Sequence, residues 1–553
     1  MSNTATVAAP EQTGSASKHL GLALLVICAA QLMVVLDSTI ANIALPHIRD
    51  DLHISQGNLQ WIVTGYALAF GGLLLLGGRL GDLYGRRRIF MIGLVLFSVA
   101  SGIGGLAQNE AMLLSSRALQ GVGAALASPS ALALITTNFP PGEKRSRAFS
   151  IYAMLSGVGG AIGLLLGGWL TGIDLGGIHG WRLTFLINVP IGILAALAAP
   201  RVLGESETHK GELDVFGALT ATLGLVSIVY GVEHGGVPDA HQHTHWGSAE
   251  TIGFLAVGLA LVAAFFVIER RVKHPLMPLR ILTSRTRALS FLTMFIVPAA
   301  MFAMFYFLSQ FIQNVMGYSP LLAGVAFMPF PFAMVAGAVL SSKLIAKVDP
   351  RFLTGTGTLL AGGALFMFSR ITVHDSASNL VHVTGQLAGG AHPWMGDSVN
   401  YWTQIFPWVA VMAFGMALVF IPMMLSALHG IDQRDAGIGS GVLNTAQQLG
   451  GALGLAVLST VAVSAISSRA KDLFTSVQPL IANGPHPTGT AAAKFTEAGQ
   501  TVIGQAAFTH GSTTAFMVGA FMMWTASAIV WMFLNVKHTH LHTDDQVEVL
   551  AVA

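Results

Sequence analysis

The chain has 553 residues, of which 53% are apolar and 10% are charged, and its formal net charge is +2. Ordinary soluble domains carry about a quarter charged residues, and they could not hide this much apolar surface. The small net charge gives no indication of a nucleic-acid partner. A single cysteine, Cys28, excludes an intrachain disulfide and a cysteine-based metal site. The composition therefore predicts a polytopic α-helical membrane protein, in which the 63 glycines allow close helix packing.

Fourteen apolar runs are long enough to cross a bilayer, which takes about 20 residues as a helix. The first 17 residues lack the basic start and cleavage site of a secretory signal, so we expect a disordered cytoplasmic tail before a retained first helix. The spans are predicted near 20–45, 58–77, 89–107, 112–137, 148–171, 183–202, 213–233, 250–269, 287–314, 321–346, 352–369, 404–428, 437–467 and 512–536.

The distribution of basic residues supports this count. If the N-terminus lies in the cytoplasm, the inside loops and tails contain 21 of the 28 Lys and Arg residues, and the outside loops contain six. A missed or additional helix would invert every later loop and abolish the asymmetry that the positive-inside rule describes. We therefore expect both termini in the cytoplasm.

The spans divide into six, two and six. The sequence GGRLGDLYGRRRIF after the second span is weakly repeated as SSKLIAKVDPRFL after the tenth, with Ala346 in the place of Asp82, which indicates two related halves. Two long outside segments, about 370–403 and 468–511, are assigned no fixed structure. The predicted units are a tail 1–19, a first half 20–203, an inserted helix pair with linkers 204–286, a second half 287–536 and a tail 537–553.

Asp37 is the acidic residue that lies deepest in a predicted span, about 12 Å from the expected helix end at Leu45. A carboxylate at such depth is costly and marks a functional site by default, although it could also serve only one fixed hydrogen bond. Arg117 lies at a similar depth in the fourth span, with Gln120 one turn away. Either Arg117 pairs with Asp37 or it binds only backbone carbonyls, and the sequence leaves both possibilities open.

Two further patterns suggest moving parts. In the loop GGRLGDLYGRRR, Asp82 lies among four arginines and could bind the N-terminus of a neighbouring helix, whereas the arginines alone are explained by the positive-inside rule. In the fifth span, the glycines Gly159, Gly163 and Gly167 lie on one helix face, either as static packing or as a sliding contact between halves. Ala446, Gly450 and Gly454 repeat that spacing.

Five motifs in chain order resemble the major facilitator superfamily, and within it the fourteen-helix drug:proton antiporter family. The resemblance covers about residues 20–536. It implies the major facilitator fold, with two pseudo-symmetric six-helix halves and an inserted helix pair. The motifs are LDSTIANIALP, GGRLGDLYGRRR, RALQGVG, WRLTFLINVPIG and NTAQQLGGALG.

The resemblance also implies roles for residues that match its motifs. Proton coupling is implied for Asp37, Arg117, Gln120 and Gly121, and a conformational gate for Gly78, Asp82, Gly85 and Arg86. One departure is Leu164, which stands where the antiporter motif normally has Pro. Leu cannot supply the kink of a Pro, so the direction of coupling is left open.

The function expected on these grounds is proton-coupled export of amphipathic or lipophilic small molecules such as drugs and antibiotics, by alternating access. The alternatives are a dedicated exporter of one metabolite or lipid, and proton-coupled uptake. We expect a monomer in a bacterial plasma membrane, with protons as the coupling ion and no cofactor. The candidate substrate-facing residues are Asn42, Gln310, Gln313, Asn314, Asn444 and Gln447.

Other classes of protein fit less well. A membrane enzyme or metal-handling protein needs clustered catalytic or ligand residues within the spans, and the histidines lie mainly in loops and tails. Two HxHxH runs, at His241, His243 and His245 and at His538, His540 and His542, could bind a transition metal but are more often solvated polar residues. A receptor has no need of an ionisable pair within its spans. ATP-driven transport is disfavoured because the sequence contains no GxxxxGK[ST] motif.

Overall fold

The computed structural model of the protein describes residues 13–206, 208, 211–238, 244–391, 393–431, 436–482 and 490–537. Most of the predicted N-terminal tail, nearly all of the C-terminal tail and five of the six HxHxH histidines lie outside the described residues. His245 is the exception, and its ring stacks on that of His234 with centroids 5.7 Å apart.

The first half consists of seven helices that make six crossings, because the sixth span is divided into two helices at Ile187. These helices are α1 (Thr13–Leu52), α2 (Trp61–Tyr84), α3 (Arg86–Gly105), α4 (Glu110–Asn138), α5 (Glu143–Thr171), α6 (Gly180–Leu186) and α7 (Asn188–Val202). The inserted pair is α8 (Val215–Gly236) and α9 (Ala249–Arg271).

The second half contains the remaining helices, and a π-helical segment Met304–Leu308 joins the first two of them. They are α10 (Arg285–Ala303), α11 (Ser309–Asn314), α12 (Pro320–Ala326), α13 (Pro329–Leu344), α14 (Pro350–Phe368), α15 (Ala377–Ala388), α16 (Tyr401–Gln404), α17 (Phe406–Leu428), α18 (Ala436–Ala482) and α19 (Thr490–Phe533).

Thirteen helical segments among the described residues are long and apolar enough to cross a membrane. The 19-residue helix α14 is not among them, because Arg351 near its start and the Gly and Thr residues of its TGTGT sequence lower its hydropathy. It nevertheless continues the alternating course of the chain and makes the fourteenth crossing. Large apolar side chains such as Phe216, Phe332 and Met532 point outward, as expected where the surroundings are lipid. The all-α membrane fold is confirmed.

Two ends of the helix bundle can be distinguished from the course of the chain. The Gln56 end contains the turn after α1 and the loops that follow α3 and α5. The Gly85 end contains the turn between α2 and α3 and the loop after α4. Polar contacts agree with this division, since Glu205 after α7 reaches Arg87, and Glu233 near the end of α8 reaches Trp61.

The glycine ridges pack inside each half rather than between halves. Gly163 lies against Thr39 of α1, and Gly454 of α18 lies in the same way against Ala299 of α10, with no room for a methyl group at either glycine. Gly159 and Gly167 also face α1. The three predicted ridge glycines therefore do not form a sliding contact between halves. The α1–α5 contact of the first half and the α10–α18 contact of the second half correspond, as expected for the two related halves that the sequence repeat indicated.

The prediction that 468–511 has no fixed structure is wrong for its described residues, 468–482 and 490–511, which are helical. Helix α18 has 47 residues and α19 has 44, so at 1.5 Å per residue each is about 65–70 Å long, twice the thickness of a hydrocarbon core. The segment is rich in Ala and Thr with few prolines, and the two helices pack along each other, which supports helix beyond the membrane. The shorter α15 occupies part of the other segment and packs on both.

Candidate functional site

Asp37 lies in the middle of a long first helix. The predicted helix end at Leu45 is wrong, because α1 continues through Pro46 to Leu52. Asp37 is therefore 15 residues from the end of the helix, or about 22 Å along its axis. Its side chain is 1% exposed. The acid is therefore further from the helix end than the sequence indicated, and protein rather than lipid surrounds it.

The Asp37 carboxylate binds three side chains on two other helices. Arg117 of α4 donates to Oδ2 at 2.6 Å, and Gln120, one turn further along α4, donates to Oδ1 at 2.9 Å. Asn188 at the start of α7 donates to the same Oδ1 at 3.3 Å. Direct pairing of Asp37 with Arg117 is therefore the arrangement that the structure adopts, and it joins α1 to α4.

Arg117 also binds groups other than Asp37. Its Nε donates to the carbonyl of Ile62 at 2.8 Å, and its Nη1 donates to Gln120 Oε1 at 2.8 Å. The guanidinium carbon lies 4.5 Å from the ring centroid of Tyr66 and 5.7 Å from that of Phe185. Arg117 therefore binds a backbone carbonyl in addition to Asp37, and the alternative of backbone contacts alone is wrong. These extra contacts offset part of the cost of a buried cation.

Two members of the network were not among the predicted site residues. Ser101 of α3 accepts from Gln120 at 3.0 Å and from Asn188 at 3.1 Å, and it donates to the carbonyl of Phe185 at 2.8 Å. Ser101 and Asn188 are both fully buried. Asn188 occurs in the quoted motif WRLTFLINVPIG, and a buried amide in an apolar span was the signal that could have identified it. Ser101 had no such signal, because a lone Ser in a helix usually binds its own backbone.

The part of α1 that follows Asp37 forms a contact with the second half. The carbonyl of Asn42 accepts from Ser309 at 2.9 Å, and the carbonyl of Ile43 accepts from Gln313 at 3.0 Å. Near the Gln56 end, Gln56 donates to Gln310 at 3.1 Å. The predicted substrate-facing residues Asn42, Gln310 and Gln313 therefore lie in a closed contact between α1 and α11, and they do not line a cavity in this structure. Of their side-chain amides, only that of Gln313 donates across the helix crossing, to the carbonyl of Ile43, whereas those of Asn42 and Gln310 donate to carbonyls one turn earlier in the chain. Sequence spacing cannot reveal such partners.

The other three predicted substrate-facing residues are partly exposed. Asn314 ends α11, and its buried Nδ2 has no hydrogen-bond partner. Asn444 and Gln447 lie three residues apart on one face of α18, and within the described residues neither forms a hydrogen bond. Their role in substrate binding remains a prediction.

The turn at the Gly85 end pairs Asp82 with Arg86. Asp82 Oδ1 accepts from Arg86 Nε at 3.2 Å and from Nη2 at 3.1 Å, and Arg86 also donates to the carbonyl of Ala133 on α4 at 3.4 Å. A gate between the halves would require Asp82 to bind a helix N-terminus of the other half, and no such contact occurs among the described residues. Arg86 is four residues away across a tight turn, so it reaches the carboxylate first.

Gly85 makes that turn possible. Its φ of 99° is in the region that only glycine adopts without strain. The carboxylate of Glu205, in the linker after α7, lies against Gly85 and accepts from the backbone N–H of Arg87 at 3.1 Å. Gly78, one helix turn before Asp82, faces Pro129 of α4. The predicted gate residues thus join α2, α3 and α4 within one half, and Glu205 is a partner that the sequence did not indicate.

Leu164 contacts the second half. Its backbone carbonyl abuts Gly324 of α12, and nearby Gly168 abuts Pro320. The side chain is buried within the large apolar core that continues into the second half. The position at which the antiporter motif has Pro is therefore part of the contact between halves near the Gln56 end.

Among the described residues, no cluster of three or more His, Cys, Asp or Glu side chains could hold a metal ion.

Comparisons with known proteins agree with this architecture. The chain is 38% identical over 456 residues to the puromycin resistance protein pur8 of Streptomyces alboniger, covering 82% of this chain and 84% of that protein. It is 37% identical over 470 residues to the cephamycin export protein CmcT of Amycolatopsis lactamdurans, covering 84% and 89%. It is 36% identical over 449 residues to the uncharacterized MFS-type transporter EfpA of Mycobacterium tuberculosis, covering 81% and 78%.

A solved structure shows the same fold. It is a bacterial homologue of the human lysosomal transporter Spinster, in an inward-facing and unoccupied conformation, with a TM-score of 0.62 at 17% identity over 94% of this chain and 99% of that chain. The sequence profile of the Major Facilitator Superfamily matches residues 27–455. With fourteen crossings in two related halves and a profile match over most of its length, the chain belongs to the Major Facilitator Superfamily.

Proposed function

We propose that the protein is a drug-efflux transporter that exchanges protons for amphipathic or lipophilic small molecules by alternating access. The observation that carries the proposal is the buried Asp37 carboxylate, held by Arg117, Gln120 and Asn188 in the middle of α1. A carboxylate at this depth in a membrane protein is characteristic of a proton pathway.

Proton binding to Asp37 would loosen α1 from α4. A neutral carboxyl group no longer attracts the Arg117 guanidinium, which can remain bound to Ile62, Gln120 and the face of Tyr66. The cation thus keeps partners in both protonation states, while α1 loses its strongest link to α4. This asymmetry allows one proton to change the freedom of a single helix.

That helix also takes part in the contact between the two halves. Asn42 and Ile43, whose carbonyls bind α11, are five and six residues beyond Asp37, or about 8–9 Å along the helix. A movement of α1 at Asp37 is transmitted to these carbonyls because the helix between them is continuous. Protonation would therefore bias the α1–α11 contact, and with it the ratio of the two access states.

The similar proteins support the substrate class. Two of them are named for puromycin resistance and cephamycin export, and others for lincomycin resistance and for tetracenomycin C resistance and export. These compounds differ widely in structure. Export of several small organic molecules is the activity that accounts for the likeness to all of these proteins. We further infer a bacterial plasma membrane with both termini in the cytoplasm, on the basis of the charge asymmetry of the loops.

Proton flux in vesicles tests the proposal. Purified protein is reconstituted into liposomes that contain a pH-sensitive dye, and a panel of lipophilic cations and antibiotics is added on one side. We expect at least one compound to drive protons in the direction opposite to its own movement. Movement of both in the same direction would indicate uptake, and substrate transport without proton flux would refute coupling. A response limited to one compound would favour a dedicated exporter.

A further inference from the structure

The inserted helix pair creates an apolar crevice on the outside of the first half. The crevice lies between α2, α4 and α8 and has a volume of about 370 Å³. Its walls include Ala69 and Leu73 of α2, Ala118 of α4 and Val226 of α8. Leu223 at the rim is 53% exposed, so the crevice opens sideways toward the bilayer. It is separate from the Asp37 network, which is sealed inside the same half.

The crevice is elongated along the membrane normal. Its α2 wall extends from Trp61 to Leu73, which is 12 residues or about 18 Å. This is somewhat more than half of a hydrocarbon core about 30 Å thick. Toward the Gly85 end, the side chain of Thr222 packs directly on Gly72 and brings α8 against α2. The shape therefore suits a slender apolar group that enters from one leaflet.

The Trp61 end of the crevice is acidic. Trp61 lines the crevice and donates its indole N–H to the Glu233 carboxylate. Glu233 is 7% exposed and forms no ion pair with a basic side chain of the described residues. A second carboxylate, on Glu110, accepts from Asn58 at 2.7 Å, and Asn58 precedes Trp61 by three residues. The apolar crevice thus ends at the Trp61 ring, and the Glu233 carboxylate lies directly behind that ring, on its N–H side.

A buried carboxylate that has no cationic partner is costly, so a ligand that supplies a positive charge would be stabilised there. The face of Trp61 adds an attraction for a cation. A neutral chain gains only from the apolar walls, and an anion is repelled. We propose that this crevice is a binding site for amphipathic cations, with the positive head at Trp61 and Glu233 and the apolar part along α2 and α8. The inference rests on the proposed function in taking its ligand from the exporter's substrate class.

Photolabelling tests the site directly. The protein, in nanodiscs of phosphatidylcholine, is exposed to dodecyltrimethylammonium that carries a diazirine on its chain, and labelled residues are mapped by mass spectrometry. We expect labels on α2 between Trp61 and Leu73 and on α8 near Val226. Unlabelled dodecyltrimethylammonium should compete, whereas dodecanol, with the same chain and no charge, should compete at least tenfold less well.

Two pairs of variants distinguish the effect of the Glu233 charge from the effect of the crevice volume. Glu233→Gln should weaken competition by the cation about tenfold, the size of one charge-assisted interaction. Glu250→Gln, on the exposed part of the same helix pair, should leave competition unchanged. Ala118→Phe fills the crevice and should abolish labelling, whereas Ala260→Phe, on the exposed face of α9, should not.

Equal competition by dodecanol, together with unchanged competition in Glu233→Gln, would overturn the proposal and assign the crevice to lipid chains. Labels confined to other helices would also overturn it. Failure of the proposed function is distinguishable, because labelling measures binding and the vesicle assay measures transport. If labelling persists but the protein shows no proton-coupled efflux, the binding site is supported and the transport proposal is refuted. If proton-coupled efflux occurs but the crevice is not labelled, the transport proposal is supported and the binding site is refuted.

Discussion

The Asp37 carboxylate lies 2.6 Å from the Arg117 guanidinium, and each side chain is 1% exposed. This ion pair joins α1 to α4 at a depth where water cannot replace either partner. Four of the described helices contribute polar side chains to the network around the pair. A change in the charge of Asp37 therefore changes the attraction between two helices and does not only alter a local hydrogen bond.

Asp37→Asn should abolish proton-driven export and leave the protein in the membrane. Asn keeps the shape and can still accept from Gln120, but it cannot gain and lose a proton. Substrate-induced proton flux in vesicles measures the effect. The matched control is Asp50→Asn, an exposed carboxylate on the same helix, which should transport normally. Export against a gradient by Asp37→Asn at near wild-type rate would show that the coupling group lies elsewhere.

Arg117→Gln should destabilise the protein more than Asp37→Asn does. Loss of Arg117 leaves the buried Asp37 charge without a cationic partner, with only the neutral donors Gln120 and Asn188, at a cost of about 3–5 kcal/mol. Loss of the Asp37 charge leaves Arg117 with Ile62 and the Tyr66 ring as partners. The double variant should therefore be more stable than the sum of the single effects predicts, by about 0.5–3 kcal/mol. Unfolding in detergent measures all four proteins, and additive effects would contradict a direct energetic link.

The topology can be tested by cysteine labelling. In a Cys28→Ala background, Gly247→Cys should react with an impermeant thiol reagent added to whole cells, and Glu212→Cys should react only after permeabilisation. Both positions are exposed, and Cys28 is buried. The charge asymmetry of the loops predicts this pattern. External labelling at position 212 would refute a cytoplasmic linker before the inserted pair.

Two neighbouring glycines of α5 should respond to alanine in opposite directions. A methyl group at Gly163 would overlap Thr39, whereas one at Gly160 has space, with the nearest atom about 4 Å away. We expect Gly163→Ala to cost about 1–3 kcal/mol through overpacking. Gly160→Ala should gain up to about 1 kcal/mol from the higher helix propensity of alanine. Unfolding in detergent tests the pair, and equal shifts would show that α1 and α5 are not held at this contact.

Asp82→Asn should shift the balance of access states only modestly. Asp82 and Arg86 are about a third exposed, at 35% and 27%, so their pair is worth about 0–1 kcal/mol, or up to about a fivefold change in the ratio of states. Loss of the charge removes a contact within the first half, so the distance between the halves at the Gly85 end should change little.

Spin labels at positions 88 and 342, on exposed residues of the two halves, measure the distance between the halves at the Gly85 end. Glu143→Gln, an exposed acid at the same end, is the control. Lost transport with an unchanged distance distribution would mean that Asp82 acts on something other than access.

The sequence by itself determined the class of protein, the number of crossings and the residues of greatest chemical interest. Span length and loop charge are local properties, so 14 helices can be counted without knowing how they pack. A deep carboxylate such as Asp37 is also visible locally, because its cost depends on the apolar residues around it in the chain. The spacing of Gly159, Gly163 and Gly167 also indicated a close helix contact, because residues four apart lie on the same face of a helix.

Only the tertiary structure decided which helices meet. It placed the glycines against α1 and not against the other half, and it placed Asn42, Gln310 and Gln313 in a closed contact instead of a cavity. Ser101, Asn188 and Glu205 acquired partners far away in sequence, which no local pattern encodes. Contacts between helices depend on the summed shape and charge of two surfaces. A single chain position reveals neither its partner nor the crevice that a third helix leaves beside it.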